Sequence, residues 1–422
     1  MKNTVFLFPG QGSQYPGMGK ELYERYAFVS DIFKQAEEAL GFDLAKLCFE
    51  GDKAELTKTE NAQPAILTVS YAMYQSFINE YEVIPTFLAG HSLGEITALT
   101  CSGGIAYIDA VKLVRRRGEF MHQAVHSELG AMSVIIGVES ALVQQVCEQN
   151  SNEQECVVIS NYNSVTQSVV SGHKSAVLKV EKQLNELGAK IIPLKVNTPF
   201  HCPLMTPAVQ QFNTELSKYI FKDLAYPVIS NFDGELYQTK DQIIPNLTKQ
   251  LVNPVQWQKT MEYISASDID TTIELGPGTV LRDLAKNYPQ IVSFGYDDCK
   301  DYSPISQYFH KTSKSSSRLK LLTRCMAIAV CTRNYNMDNE AYQKGVVAPY
   351  RKIENMVAVL EQQKKEPSLE QMRESLDMLT IIFKTKLTPV QEQRERFEQI
   401  FQETGMKDFF PEFVSLNEDE GA

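Results

Sequence analysis

The stretch that decides the fold runs from residue 83 to residue 101 and reads VIPTFLAGHSLGEITALTC. Its apolar start, Val83–Ala89, predicts a buried strand, and Leu93–Cys101 predicts a helix directly behind it. Between them, Gly90-His-Ser-Leu-Gly94 matches GxSxG, in which the glycines let backbone segments approach without a Cβ clash. We therefore predict that Ser92 lies at the tip of the strand with its hydroxyl exposed as a nucleophile. A simple strand-to-helix turn without function is the alternative.

The backbone around this turn can also stabilise negative charge. The first N–H groups of a helix have no carbonyl partner within the helix and lie at its positive end. We therefore predict that the Leu93 N–H helps to hold an oxyanion on a carbonyl attacked by Ser92. The loop Pro9–Gln14 follows the apolar run Thr4–Phe8 and is a candidate for the second donor. It lacks both GxGxxG and the lysine of a phosphate-binding loop, and a glycine-rich turn needs no function.

A serine hydroxyl needs a base to become a strong nucleophile, and histidine is the most frequent one. The chain has six histidines: His91, His122, His126, His173, His201 and His310. One lies inside the turn itself, one starts a helix, one falls in a polar stretch, and two form a helical pair without an evident third metal ligand. Elimination favours His201, on the Pro-flanked loop 197–203, without settling the choice.

Three consecutive arginines, Arg115, Arg116 and Arg117, fall on a predicted helix. Successive side chains on a helix point about 100° apart, so the three cannot form one patch. Two solvated arginines and one inward arginine are expected, and an inward guanidinium favours a carboxylate partner. This cluster by itself is a weak signal of function.

Outward from the turn, predicted strands alternate with predicted helices, which is typical of a parallel sheet covered on both faces. Residues 130–197 break this rhythm with the order βαββαβ, the pattern of a ferredoxin-like subdomain. We therefore predict an α/β protein with an α/β-hydrolase-like parallel-sheet core, an inserted ferredoxin-like subdomain and an α-helical C-terminal extension.

A chain of 422 residues exceeds one compact domain. We predict a main domain at 1–310, a linker at 311–317 in the polar run His310-Lys-Thr-Ser-Lys-Ser-Ser-Ser317, and a helical extension at 318–422. The last 112 residues carry 17 Lys/Arg and 17 Asp/Glu, so the net charge of −11 lies in the main domain. Apolar spacing in the extension indicates amphipathic helices, either an appendage packed on the core or a docking surface.

Composition excludes several classes of function. The net charge of −11 and a pI near 5.2 argue against broad nucleic-acid binding. Apolar runs are too short for a membrane span, and the N-terminal apolar stretch is too short for a signal peptide. Eight cysteines without a CxxC pair are typical of reduced thiols in a cytoplasmic protein.

Several separated motifs then resemble one family, in its own order, over about residues 1–300. The chain is similar to malonyl-CoA:acyl-carrier-protein transacylases in the following segments: Phe8-Pro-Gly-Gln-Gly-Ser-Gln14, Gly90-His-Ser-Leu-Gly-Glu95, the arginine run ending at Arg117, Asn161-Tyr-Asn-Ser164 with Gln167 and Ser171-Gly172, Pro199-Phe-His201, Gln250 with Asn253-Pro-Val255, and Glu274-Leu-Gly-Pro-Gly278.

The resemblance implies roles for single residues. Ser92 would carry the malonyl ester, with His201 as its general base and acid. Gln11 and Leu93 would supply the oxyanion-hole N–H groups. Arg117 would bind the malonyl carboxylate, which strengthens the weak signal from the arginine run.

Three further positions take roles only from the resemblance. Gln250 would orient the histidine through its backbone carbonyl, and Asn163 would line the pocket. Phe200 fits the pattern that selects malonyl groups, because a bulky ring crowds an α-methyl group. Thr198 and Pro199 depart from the usual modular-synthase tetrapeptide, which weakens this inference about selectivity.

The reaction so implied is ping-pong transfer from malonyl-CoA to the phosphopantetheine thiol of an acyl carrier protein. We expect neither cofactor nor metal, no nucleic-acid or membrane partner, and a monomer. The extension resembles trans-acting malonyl transferases of polyketide or lipopeptide assembly lines. The alternatives are a transacylase of fatty-acid synthesis, an acyl-thioester hydrolase of the same fold, and a non-catalytic carrier-protein adaptor.

Overall fold

The computed structural model describes residues 3–81, 83–125, 129–194, 198–309, 315–363 and 365–413. Some positions that carry predictions made above lie outside the described residues: His126, residues 195–197, His310 and residues 311–314. The strands in chain order are β1 (Thr4–Phe8), β2 (Phe87–Gly90), β3 (Gly130–Ile136), β4 (Val157–Ser164), β5 (Gln167–His173), β6 (Lys190–Pro193), β7 (Val228–Ile229), β8 (Thr271–Glu274) and β9 (Val292–Gly295).

The α-helices are α1 (Lys20–Arg25), α2 (Ala27–Leu40), α3 (Leu44–Glu50), α4 (Lys53–Thr57), α5 (Thr59–Tyr81), α6 (Leu93–Cys101), α7 (Tyr107–Gln123), α8 (Ser140–Gln149), α9 (Lys174–Glu186), α10 (Thr206–Leu216), α11 (Ile243–Gln250), α12 (Trp257–Ala266), α13 (Val280–Ala285), α14 (Cys299–Phe309), α15 (Ser315–Cys331), α16 (Asn339–Tyr342), α17 (Ala348–Gln363), α18 (Leu369–Thr385) and α19 (Val390–Thr404). In the part of the chain described, each helix is too short or too polar to cross a lipid bilayer.

The chain forms two compact units. The first consists of Met1–Phe77 and Pro85–His310, and the second of Ile78–Ile84 and Lys311–Ala422. The second unit therefore includes the end of helix α5, a segment that the sequence analysis assigned to the main domain.

A five-stranded parallel sheet forms the centre of the first unit. Its strand order is β7-β2-β1-β8-β9, and every neighbouring pair runs parallel. Strand β1 is buried along its whole length, as expected for a strand covered on both faces. The prediction of an α/β fold with a parallel core is confirmed. The carboxyl ends of β1, β2, β7 and β8 meet at one edge of this sheet, where ligands bind in open α/β sheets.

A second sheet of four antiparallel strands lies in the same unit. Its order is β4-β5-β3-β6, and helices α8 and α9 contribute to its buried cluster with side chains such as Val143, Val146, Val177 and Val180. The element order from β3 to β6 is the βαββαβ order predicted from the sequence. Strand β4 of this sheet is joined to the segment between α11 and α12, because the Tyr162 N–H donates to the Val255 carbonyl and the Val255 N–H donates to the Ser160 carbonyl.

The second unit is helical, with α15, α17, α18 and α19 packed around apolar side chains. These include Leu321, Ile353, Leu379 and Phe397, all at 0% exposure. Helix α18 begins with a capping box, in which the Ser368 hydroxyl accepts a hydrogen bond from the Gln371 N–H and Gln371 Oε1 accepts one from the Ser368 N–H. Asn79, from the end of α5, accepts hydrogen bonds from the Arg318 guanidinium and the Leu369 N–H.

Two predicted boundaries need correction. The strand predicted at Val83–Ala89 begins only at Phe87, because Pro85 has no N–H to give to a sheet ladder. The linker predicted at 311–317 is too long, since helix α15 already begins at Ser315. A serine run resembles a loop in composition, but serine is also favoured at helix starts.

Candidate active site

Ser92 occupies a strained turn between β2 and α6. Its backbone lies at φ 53° and ψ −104°, a conformation that costs a non-glycine residue free energy. A Cβ at Gly90 would lie 1.9 Å from the Gly94 carbonyl oxygen, and one at Gly94 would lie 2.0 Å from that of Phe8. The two glycines therefore let the strand, the turn and the helix approach more closely than any side chain would allow. The Ser92 N–H donates to Asn231 Oδ1 at 2.6 Å.

His201 lies against the serine hydroxyl. Its Nε2 is 2.7 Å from Ser92 Oγ, and its Nδ1 is 2.7 Å from the backbone oxygen of Gln250. A carbonyl only accepts, so Nδ1 carries the proton and Nε2 is free to accept one from the serine. Burial, together with the positive charge of Arg117, lowers the pKa of His201 to about 3. The imidazole is therefore neutral at pH 7, the state that a general base requires.

Arg117 is the inward member of the arginine run. It is 2% exposed, and its Nη2 donates to Ser92 Oγ at 3.2 Å and to Gln250 Oε1 at 2.8 Å, while Nη1 donates to Gln63 Oε1 at 2.9 Å. Its Nε has no hydrogen-bond partner among the described residues. Burial lowers the pKa of Arg117 to about 10, which still leaves it charged at pH 7. A buried, incompletely paired guanidinium beside the nucleophile suits a substrate carboxylate.

Arg116 turns outward as predicted, whereas Arg115 is only partly exposed and also donates to the Glu60 carbonyl and to Asn61 Oδ1. Only one of the two predicted solvated arginines is therefore found. Arg115 and Arg116 both form ion pairs with Glu119, and the Arg116 side chain is 46% exposed.

The predicted oxyanion donors lie at the same cavity. A cavity of about 380 Å³ is lined by the loop Pro9–Gln14 together with Ser92, Leu93, Arg117 and His201. Leu93 is the first residue of α6, so its N–H has no acceptor four residues earlier within the helix. The Gln11 side chain donates to Thr59 Oγ1 at 3.3 Å, which ties this loop to the start of α5.

Phe200 and Asn163 also line this cavity. Phe200 is 8% exposed, and its N–H donates to Met132 Sδ at 3.4 Å. The side-chain oxygen of Asn163 is 3.1 Å from His91 Nε2, and the His91 ring also contacts Trp257. His91 is thus held away from the serine, and loss of hydration lowers the pKa of His91 to about 4. Every residue predicted for the site therefore lines this cavity except Gln250, which contacts His201 and Arg117 directly.

Three supporting residues were given no role in the sequence analysis: Gln63, Glu95 and Asn231. Gln63 lies on α5, and Asn231 follows the short strand β7. Asn231 could have been noticed, because polar residues after the strands of a parallel sheet collect at its ligand-binding edge. Glu95 belongs to a quoted motif, but its partners lie 136 to 155 residues away, so no local pattern reveals them.

His122 lies on helix α7, and His126, the other half of the predicted helical pair, lies outside the described residues. Among the residues that are described, no group of three or more His, Cys, Asp or Glu side chains is arranged to hold a metal ion.

Comparison with known proteins gives one consistent family. Residues 5–304 match the model of the acyl transferase domain. A malonyl CoA-acyl carrier protein transacylase of Bacillus subtilis is 37% identical over 93% of this chain and 99% of its own length. A protein of the same name from Escherichia coli K12 is 42% identical over 68% of this chain and 93% of its own length.

Solved structures agree with the sequence relatives. The transacylase of Coxiella burnetii is 36% identical, covers 73% of this chain and 98% of its own, and superposes with a TM-score of 0.70. A malonyl-transacylase solved in complex with its type II polyketide acyl-carrier protein is 35% identical, with 73% and 100% coverage and a TM-score of 0.70. The chain therefore belongs to the acyl transferase family and, within it, to the malonyl-CoA:acyl-carrier-protein transacylases.

Proposed function

We propose that this enzyme moves the malonyl group of malonyl-CoA, through an ester on Ser92, to the phosphopantetheine thiol of an acyl carrier protein. One observation carries the proposal: a buried Arg117 and a neutral His201 both contact the hydroxyl of a strained serine. The histidine suits acyl transfer in general, and the arginine suits an acyl group that ends in a carboxylate.

The first half-reaction loads the serine. Ser92 Oγ attacks the thioester carbonyl as its proton passes to His201 Nε2, and the oxyanion accepts hydrogen bonds from the backbone N–H groups of Gln11 and Leu93. The C–S bond then breaks, and the CoA thiolate takes the proton from Nε2. Throughout, the His201 Nδ1–H stays hydrogen-bonded to the Gln250 carbonyl oxygen, and this bond stabilises the imidazolium that forms between the two proton transfers.

The second half-reaction repeats these steps in reverse order. His201 Nε2 takes the proton of the phosphopantetheine thiol, the sulfur attacks the malonyl-Ser92 ester, and the Ser92 oxygen recovers the proton as it leaves. A carboxylate triad member is not needed, because the Gln250 carbonyl already fixes the tautomer.

Arg117 and Phe200 would select the acyl group. The guanidinium would pair with the free malonyl carboxylate and disfavour uncharged acyl groups. The Phe200 ring would crowd an α-methyl substituent, although a hydrophobic pocket discriminates by only about 1–3 kcal/mol per methylene.

We further propose that the enzyme works in trans for a polyketide or hybrid lipopeptide assembly line. The extended Bacillus subtilis relative aligns with 93% of this chain and thus shares the extension, whereas another relative from Bacillus subtilis strain 168 aligns with 68%. Two transacylases of different length are expected in one species if the compact enzyme serves fatty-acid synthesis and the extended enzyme serves a polyketide or lipopeptide assembly line.

The test of acyl transfer is intact-mass measurement after mixing the protein with malonyl-, methylmalonyl- or acetyl-CoA. We expect a malonyl adduct that is absent in Ser92→Ala and is discharged when a carrier protein is added. Rapid loss of the acyl group to water would favour a hydrolase, and no adduct at all would favour an adaptor.

The test of the pathway compares carrier proteins. The malonyl-enzyme is mixed with a fatty-acid-synthesis carrier and with polyketide or lipopeptide carriers, and kcat/KM is measured for each. A higher value for the assembly-line carriers supports the trans-acting role, and a higher value for the fatty-acid carrier contradicts it.

A further inference from the structure

Glu95 has a fully buried carboxylate one helical turn after the nucleophile, and the mechanism above does not use it. The residue lies on α6 at 0% exposure. Its Oε2 accepts hydrogen bonds from Gln250 Nε2 at 2.5 Å and from the Asn231 N–H at 3.2 Å, and its Oε1 accepts one from the Tyr237 hydroxyl. Buried carboxylates persist where such bonds satisfy them. Glu95 therefore fixes three polar groups in place.

Gln250 is the most connected of these partners. It is 1% exposed and ends helix α11. Its backbone oxygen accepts from His201 Nδ1, its Oε1 accepts from Arg117 Nη2, and its Nε2 donates to Glu95 and, at 3.1 Å, to the Ser92 carbonyl. One residue thus orients both the base and the carboxylate-binding arginine. Its side-chain amide lies between Glu95 on one side and Arg117 on the other.

The hydrogen-bond geometry indicates that Glu95 acts as an acceptor. Both bonds toward the reaction centre end on Oε2, while Oε1 faces only Tyr237, whose hydroxyl can donate or accept. Burial raises the pKa of Glu95 to about 7, and its hydrogen bonds oppose this shift. A proton on Oε1 would leave both bonds at Oε2 intact. The arrangement at Gln250 therefore does not require the negative charge.

We propose that Glu95 is a positioning residue of malonyl transfer, which acts through Gln250 to hold His201 and Arg117 against Ser92. This inference rests on the proposed function. Without an acceptor at position 95, the Gln250 amide loses one of its fixed partners and the end of α11 loosens. His201 and Arg117 then lose alignment together, so the rate falls for every acyl group. Loss of Arg117 alone should instead act mainly on acyl groups that carry a carboxylate.

The test compares two substitutions of similar volume, Glu95→Gln and Glu95→Met. Glutamine keeps an oxygen that accepts from Gln250 and Asn231, and its amide can donate to Tyr237. Methionine can make none of these three hydrogen bonds. Acylation of Ser92 is followed by intact mass with malonyl-CoA and with acetyl-CoA, which gives a rate constant and a final labelled fraction. Tyr237→Phe is the matched control, since it removes the hydrogen bond at Oε1 and leaves both bonds at Oε2.

We expect Glu95→Met to lower the acylation rate constant roughly 10- to 100-fold for both acyl groups, a part of the 10²–10⁴-fold that a positioned base contributes. The final labelled fraction should remain that of the wild type, because misfolding would lower this fraction and misalignment lowers only the rate. Glu95→Gln and Tyr237→Phe should stay within about threefold of the wild-type rate.

Two results would overturn the inference: an unchanged rate in Glu95→Met, or an equal loss in Glu95→Gln. If Glu95→Met does not fold, Gln250→Met removes the same hydrogen bond from the other side, together with the bonds to Arg117 and the Ser92 carbonyl, and must lower both rates. Failure of the wild type to form a malonyl adduct would instead reject the proposed function, so the two failures are distinguishable.

Discussion

At the scale of single residues, the reacting atoms are held by strain. Ser92 and His201 are two of the three non-glycine residues with positive φ among those described, and their side chains meet at 2.7 Å. Each such conformation costs about 1–3 kcal/mol and persists only where its surroundings enforce it. Asn231 helps to hold the strained Ser92 backbone, because its Oδ1 accepts a hydrogen bond from the Ser92 N–H and its Nδ2 donates one to the Gly90 carbonyl.

The substitution Asn231→Ala should therefore relax the turn. We expect a loss of about 1–3 kcal/mol in the free energy of unfolding, because the buried Ser92 N–H and Gly90 carbonyl lose their partner. The rate of Ser92 acylation should fall as well. Thermal unfolding and intact-mass kinetics measure the two effects. A variant that melts and reacts like the wild type would show that the strand and helix hold the turn without Asn231.

Arg117→Ala should separate acyl groups by charge. Removing one partner of a desolvated charge pair costs about 2–5 kcal/mol. We therefore expect the malonyl rate to fall roughly 30-fold or more, at 1.4 kcal/mol per tenfold. The acetyl rate should change much less. Arg116→Ala is the matched control, since this neighbour on α7 is 46% exposed and pairs with Glu119. Equal losses with both acyl groups would contradict carboxylate binding by Arg117.

At the scale of elements, the parts that depend on local pattern were predictable. Strand β1 and helix α6 have the predicted bounds, because apolar runs ended by Gly and Pro fix both. The serine also followed from local geometry, and so did the expectation of one inward arginine, whereas the choice of Arg117 rested on the resemblance. The cluster of Glu95, Gln250 and Asn231 did not, since its members lie on α6, at the end of α11 and after β7. Only the folded sheet brings such distant residues together, and a resemblance to a family was needed to assign Gln250.

The junction of β8 and α13 should make stability depend on pH. Glu274 ends β8 at 0% exposure, and its Oε2 accepts from the Arg282 N–H at 2.8 Å. Burial raises the pKa of Glu274 to about 8. Between the ordinary value near 4.5 and about 8, the folded protein therefore binds a proton that the unfolded chain releases. This group then lowers stability as pH rises, by at most about 1.4 kcal/mol per pH unit.

Glu274→Gln should remove this dependence while keeping an acceptor for the helix start. We expect the melting temperature of the variant, relative to wild type, to increase from pH 5 to pH 8. Calorimetric scans at both values measure the difference. A difference that stays constant or shrinks over this range would contradict a protonated Glu274 in the folded state.

At the scale of the whole molecule, the described site residues belong to the first unit, and the second unit has its own internal contacts. The Arg318 guanidinium donates to the side-chain and backbone oxygens of Asn79, at 2.9 and 2.7 Å. The helical extension is predictable from the sequence but this contact is not, because nothing local marks the end of α5 as part of another unit.

Arg318→Met should destabilise the second unit by about 1–3 kcal/mol, because polar groups of Asn79 lose a charged partner. Malonyl transfer to an isolated carrier protein should be unchanged. Hydrogen exchange in α15 and α18, together with the transfer rate, checks both statements. Lys352→Ala is the control, since its ion pair with Glu374 is exposed and contributes little. Unchanged exchange in Arg318→Met would contradict this role of Arg318.

The contact between Asn79 and Arg318 also limits when the second unit can fold during synthesis of the chain. The two residues are 239 positions apart, and ribosomes add about 5–20 residues per second, so roughly 10–50 s separate their synthesis. During this interval, the segment Ile78–Ile84 has been synthesised, but the helices of the same unit have not. The second unit can be completed only after residues 311–422 have been made, whereas most of the first unit is made before them. A pause or truncation after residue 310 would therefore leave the end of α5 as an exposed, incomplete surface for chaperones to recognise.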